Sequence, residues 1–181
     1  MASSEKDFEI RKALAWSACH KLKAIWSSQL SNELKVSLFR ATVESVLTYN
    51  AQTWTVNKAL EKRINGCYTR MLRMALNVSW KQRLTNKALY QELPQLSQTI
   101  AEKRMRLSGH CVRHTDEIAH HLVLWEPTQG KRSRGRQAVT YVDVLRRDTE
   151  LESVQEIRTV MMDRDGWKSR IKSSRAGARP R

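Results

Sequence analysis

The chain has 181 residues, 40% apolar and 28% charged, with 33 Lys and Arg against 18 Asp and Glu for a net charge of +15. That apolar share supports a hydrophobic core in one domain or two small ones and excludes wholesale disorder, while a mean hydropathy of −0.60 argues for a soluble protein. Six glycines and three prolines favour helices over turn-rich β architecture, and no apolar run reaches the roughly 20 residues that cross a bilayer. Glu5, Asp7 and Glu9 near the start are unlike a secretory signal, and Cys19, Cys67 and Cys111 are odd in number and widely spaced, which points to a reducing interior without a disulfide framework.

Ser4 followed by Asp7 marks a helix start, since a hydroxyl cap and a carboxylate both suit the positive end of a helix. Ile10, Leu14, Ala18, Leu22 and Ile25 then step by three or four, predicting one apolar face of a helix ending near Trp26. Ser31 or Asn32 can cap a second helix with Leu34, Leu38, Val43, Val46, Leu47 and Trp54 inward. Its Thr- and Val-rich middle also suits a strand, but the spacing is helical. Asn57 caps a third helix with Leu60, Ile64, Cys67, Met71, Leu72 and Ala75 inward. A polar stretch at 77–82 precedes a short helix from Thr85 to Leu93, stopped by Pro94.

A further helix runs from Ser97 through Ile100, Arg104, Leu107 and Cys111, and another short one occupies 116–124. The stretch Pro127–Arg136 has no apolar side chain and is expected to be an exposed loop. Tyr141–Leu151 and Ser153–Ile171 are helical in pattern, and a tail from 173 has a disordered composition. The expected architecture is all-α. A helical bundle over 5–93 precedes a smaller basic helical region over 95–172, with a disordered tail at 173–181.

The charge is localised. Lys103–Arg113, Pro127–Tyr141 and Lys168–Arg181 hold four, four and six basic residues and no acidic one, leaving 19 basic against 18 acidic residues elsewhere. Such clustering is the electrostatic footprint of a polyanion binder. In the loop, Lys131, Arg132, Arg134 and Arg136 stand between and beside glycines, so an extended backbone can follow a line of phosphates. An Arg-Gly-Arg core also suits a narrow minor groove, although Gln137 stands where such hooks normally carry Pro. A solvated loop or a nuclear import signal is the competing reading, and import is compatible with binding. Lys103, Arg104 and Arg106, with Arg113 further on, extend the track along a helix, where a plain solvated face is the default.

His110 and His114 share a helix face at i, i+4 beside Cys111, with His120 and His121 nearby, but Cys111 has no CxxC partner and no HExxH pattern is present. No metal or cofactor is expected; exposed or capping histidines are the simpler account. Of six tryptophans, Trp16, Trp26, Trp54 and Trp167 read as packing residues. Trp80 and Trp125 lie in weakly patterned segments and are the candidates for base stacking. No Gly-x-Ser-x-Gly, phosphate-cradling glycine loop or metal-spaced carboxylate cluster occurs, and Asp163 and Asp165 read as surface charges.

The order of the motifs adds a family resemblance. Arg11-Lys-Ala-Leu-Ala-Trp-Ser-Ala-Cys-His-Lys-Leu-Lys-Ala-Ile-Trp26 resembles the segment just after the palm of non-LTR (LINE-type) retrotransposon reverse transcriptases, within them most like RTE- and jockey-like elements. Lys35-Val-Ser-Leu-Phe39 and Val46-Leu-Thr-Tyr-Asn-Ala-Gln-Thr-Trp-Thr55 are similar to that family's K…LF…VLLYGAETWT stretch, with Asn50 for the usual Gly and Gln52 for the usual Glu. Arg70-Met-Leu-Arg73, Lys103–Arg113, Gly130–Arg136 and Asp163-Arg-Asp-Gly-Trp167 continue the match, which covers about residues 8–170.

The resemblance implies a thumb over 8–93 that packs against a primer–template duplex, and a basic extension over 95–170 that holds RNA or target DNA. The palm aspartates and the endonuclease of that family are absent from these residues. A start at Met1 shortly before the thumb-like segment suggests a truncated copy, a fragment or a host-recruited remnant. The resulting expectation is a non-catalytic binder of RNA or DNA with little sequence specificity, intracellular and nuclear. The alternative is a helical module that docks on a protein or on a second copy through an exposed apolar face.

Overall fold

The structure, a computed structural model, describes residues 4–91, 93–126 and 139–177, with side chains through Ser173. The fold is all-α, and among the described residues there is no strand. No described helix is long and apolar enough to cross a membrane. Contacts divide the chain into two compact units. One comprises residues 4–51 and 58–99; the other comprises 52–57 and 100–177, so the division falls within a helix, between Thr99 and Ile100.

The first unit is built on α1 (Ser4–Lys21), α2 (Lys23–Trp26), α3 (Asn32–Phe39), α4 (Ser45–Leu47) and α5 (Lys58–Ala75), followed by α6 (Asn86–Tyr90). Its core combines Phe8, Ala15, Cys19 and Trp26 with Phe39, Val43 and Leu47 and with the inward face of α5. All six positions expected on α5 are buried, and Tyr68 joins them. A clean polar face opposite leaves that helix one way to pack.

The faces of α1 and α3 differ from expectation. Ile10 and Leu14 are 58% and 48% exposed, while Phe8, Ala15 and Cys19 are buried. Apolar side chains surround α1, so its spacing does not select a face. On α3, Ser31 caps the helix by accepting from the Leu34 amide. Leu34 faces solvent, and the buried row is Lys35, Phe39, Val43 and Leu47. A π-helical turn at Arg40–Glu44 then joins α3 to α4 and widens the helix locally, which keeps Val43 and Leu47 in line with that row. Lys35 is tolerated inside because its Nζ donates to the Ser28 carbonyl at 2.9 Å. Within the π turn, Glu44 accepts from the Tyr68 hydroxyl at 2.8 Å. Burial first, and then the Glu44 carboxylate, push the Tyr68 phenol well above its ordinary value.

The second unit takes in most of α7 (Leu96–Arg113), then α8 (Ile118–Leu122), α9 (Tyr141–Thr149), α10 (Val154–Met162) and α11 (Arg164–Gly177). Met105, Val112, Leu124, Leu145, Ile157, Met161, Trp167 and Ile171 form its core. The single helix expected over 153–171 is two, broken at Asp163, whose carboxylate accepts from the Asp165 amide at 3.1 Å. Asp163 and Asp165 are exposed, as expected, and Asp163 in addition caps α11. That helix continues to Gly177, past the expected start of the tail at 173; residues 178–181 lie outside the described residues.

Trp167 anchors this core, and its Nε1 donates to the Met105 carbonyl on α7 at 2.9 Å. Gly109 permits the approach: a Cβ there would lie 2.3 Å from Trp167 Nε1. The three cysteines are free and buried, and burial is the main force raising each thiol above its ordinary value, which suits packing more than nucleophilic chemistry.

Candidate nucleic-acid interface

The cations expected on α7 separate according to which side of the helix they occupy. Arg104 is 1% exposed, makes an ion pair with the buried Asp148 carboxylate, and donates from Nη2 to the Trp54 carbonyl at 3.3 Å. Its Nε is buried without a partner. This guanidinium is committed to the interior, so Arg104 is removed from the expected phosphate track. Arg113 is half-buried and donates to the Met161 carbonyl at 2.7 Å, tying the end of α7 to the end of α10. Lys103 is half-buried as well. Arg106 projects into solvent with its side chain 68% exposed and an ion pair to Glu102 at 2.6 Å. The window is thus a packed helix with one prominent outward cation, where a continuous basic face was expected.

Lys131, Arg132, Arg134 and Arg136 lie outside the described residues; Glu126 before them and Thr140 after them are held by side-chain hydrogen bonds. Glu126, at one flank, receives both terminal nitrogens of Arg146 at 2.7 and 2.8 Å. A forked pair of this kind is directional as well as strong, and the hydrogen bonding to Glu126 leads in holding the Arg146 guanidinium above its ordinary pKa. At the other flank Thr140 caps α9 reciprocally: its hydroxyl accepts from the Asp143 amide at 3.1 Å, and Asp143 accepts from the Thr140 amide at 2.8 Å. The basic segment is carried between two anchored ends. In the third window, Lys168 pairs with Asp165 at 3.2 Å and Arg170 donates to the Thr149 carbonyl at 2.6 Å, so part of that charge also serves the fold.

The histidines gather as their spacing suggests. His110 and His114 lie with ring centroids 4.1 Å apart and their planes tilted by 47°. Glu117 adds a third donor, all three donor atoms lying within 4.8 Å of one another on the surface. His120 instead has Nδ1 at 2.8 Å from the Val112 carbonyl.

Three of the six tryptophans, Trp26, Trp54 and Trp167, are at most 2% exposed, whereas Trp80 is 84% and Trp125 63% exposed. Trp80 sits in a turn that is built residue by residue. At the end of α5, Asn77 takes a left-handed conformation (φ 53°), while the Val78 and Asn77 amides donate to the Arg73 and Met74 carbonyls at 2.8 and 3.1 Å. Ser79 and Gln82 then cap a 3₁₀ turn over Trp80–Gln82 reciprocally. Arg83 follows with φ 46°, and Arg73 reaches from α5 to the Leu84 carbonyl at 2.7 Å and to Asn86 Oδ1 at 3.0 Å.

No protein-family profile and no solved structure matches the chain. A Caenorhabditis elegans protein named as transposon-derived and uncharacterised is 27% identical over 169 residues, which is 87% of this chain and 61% of that protein. The chain thus spans less than two thirds of the length of the relative it matches.

Proposed function

We propose that the chain is a non-catalytic, sequence-tolerant nucleic-acid-binding protein of transposon origin, corresponding to the post-palm region of a non-LTR retrotransposon reverse transcriptase. The observation that carries the origin is the similarity over 169 residues to a protein named as transposon-derived. The ordered motifs from Arg11 to Trp167 supply the finer assignment, and a net charge of +15 supplies the reason for a polyanionic partner. Lys131, Arg132, Arg134 and Arg136 take phosphates; Arg106 adds to them, and Lys103 and Arg113 flank it in sequence. The same loop directs the chain to the nucleus. Without the polymerase aspartates, the isolated chain performs no strand extension.

Binding of this kind releases counterions, so log affinity falls linearly with log salt. A titration against single-stranded RNA, duplex DNA and RNA–DNA hybrid measures the slope. Replacing the four loop cations by alanine should flatten it by roughly 3 to 4, at 0.7–0.9 per phosphate contact. Binding that is indifferent to salt, or absent at low ionic strength, overturns the proposal; primer extension by the isolated chain overturns its non-catalytic part. A second reading, self-association, is favoured by Ile118 and Leu122, one turn apart on α8 and 77% and 63% exposed. Sedimentation at rising protein concentration distinguishes it.

A further inference from the structure

We infer that the turn between α5 and α6 is a second contact site, at which one base of a single-stranded nucleic acid stacks on Trp80 while Lys81, Arg83 and Lys87 take the flanking phosphates; this rests on the nucleic-acid reading above. Three independent observations converge on it. The first is charge. Residues 62–91 contain seven Lys and Arg and no Asp or Glu, outside the three windows in which the basic residues are densest. Arg70, Lys81, Arg83 and Lys87 are all exposed.

The second observation is the indole itself. Trp80 is the most exposed large apolar side chain among the described residues, at 84%. Its sequence neighbours Ser79, Lys81, Gln82 and Arg83 are exposed and polar, a setting that favours a charged partner over an apolar one. A lone aromatic ring set among cations suits a planar, polyanionic ligand: each base offers a face to stack on, and each backbone unit a phosphate to pair with. Single strands fit best, because duplex bases have both faces already stacked.

The third is pre-organisation. The left-handed Asn77, the reciprocal cap of Ser79 and Gln82, and the brace from Arg73 to the Leu84 carbonyl hold the turn before any ligand arrives. Arg83 occupies a left-handed position (φ 46°) that glycine or asparagine takes at lower steric cost. The turn therefore keeps a cation where a neutral residue would suit the backbone better.

The full-length chain should be titrated with a short oligothymidylate and a short oligouridylate, following tryptophan fluorescence, with heparin as a polyanion that lacks bases. Stacking should quench the wild-type signal, and Trp80→Ala should remove that part of the quench. The substitution should weaken both oligonucleotides about 5- to 150-fold, with Trp80→Phe retaining most of the affinity. Heparin binding should hardly change. Lys81→Gln with Arg83→Gln should lower the salt slope by about 1.4, at 0.7 per single-strand phosphate. Because Trp80 is exposed, circular dichroism should show each variant folded. Salt-dependent binding that ignores Trp80→Ala, or equal losses for heparin and the oligonucleotides, overturns this site and leaves the general reading standing. No binding to any nucleic acid overturns both.

Discussion

On α7, Arg104 faces Asp148 in the interior and Arg113 is spent on the Met161 carbonyl, whereas in the turn after α5 Lys81 within the 3₁₀ segment and Arg83 just after it stand in solvent. The α7 cations are the denser in sequence, four within eleven residues, yet they are the less available. A core-facing helix must bury a stripe about 100° wide, and any cation on that stripe is drawn into the structure. A short turn between helices has little interior side to bury. Cation density along the chain therefore measures potential for binding only after the fold has taken its share.

The strongest way to break this contrast is Arg104→Ala. Removing Arg104 from this buried pair leaves the Asp148 carboxylate with the more distant, solvent-facing Arg147 at 3.6 Å, and should cost up to about 3–5 kcal/mol in a denaturant titration. Arg104→Met with Asp148→Leu, which replaces both charges by apolar groups, should recover most of that loss. Neither variant should change the salt slope of binding in protein that remains folded. A reduced slope at native stability would return Arg104 to the interface and undo the contrast.

Gly109→Ala probes the same helix from its packing side. The added methyl would meet the indole of Trp167, which is 1% exposed and bonded to Met105, so the ring has little room to yield. Overpacking of this kind should cost about 1–3 kcal/mol, read as a lower denaturation midpoint. A neutral result would show that α7 and α11 can separate more easily than their contact implies.

How far these arrangements could be read in advance depended on how one-sided each helix is. The inward face of α5 was legible because Leu60, Ile64, Cys67, Met71, Leu72 and Ala75 lie opposite a uniformly polar side. The face of α1 was not, because Ile10 and Leu14 compete with Phe8, Ala15 and Cys19 around one cylinder. Nor was the burial of Arg104, since its partner Asp148 lies 44 residues away and no local spacing announces the pair. The Trp80 turn was half legible. Its weak pattern marked the tryptophan as a stacking candidate, but 19 basic residues against 18 acidic ones outside the densest windows hid the acid-free stretch at 62–91. The brace from Arg73 to the Leu84 carbonyl, which helps hold the turn that displays the ring, joins residues eleven apart and follows no helical spacing.

Arg106→Ala should have the smallest effect on stability and sharpens the contrast most. Its guanidinium pairs with Glu102 one turn away in solvent, and exposed i, i+4 pairs contribute only about 0.3–0.5 kcal/mol. The denaturation midpoint should hardly move. If Arg106 takes a phosphate, the salt slope should still fall by about 0.7–0.9, with the lower value for a single strand. Glu102→Gln is the informative companion, because it frees the guanidinium without removing it and should strengthen low-salt binding. If Arg106→Ala leaves the slope intact and Glu102→Gln leaves affinity unchanged, even this outward cation lies off the interface, and α7 becomes a packing helix along its whole length.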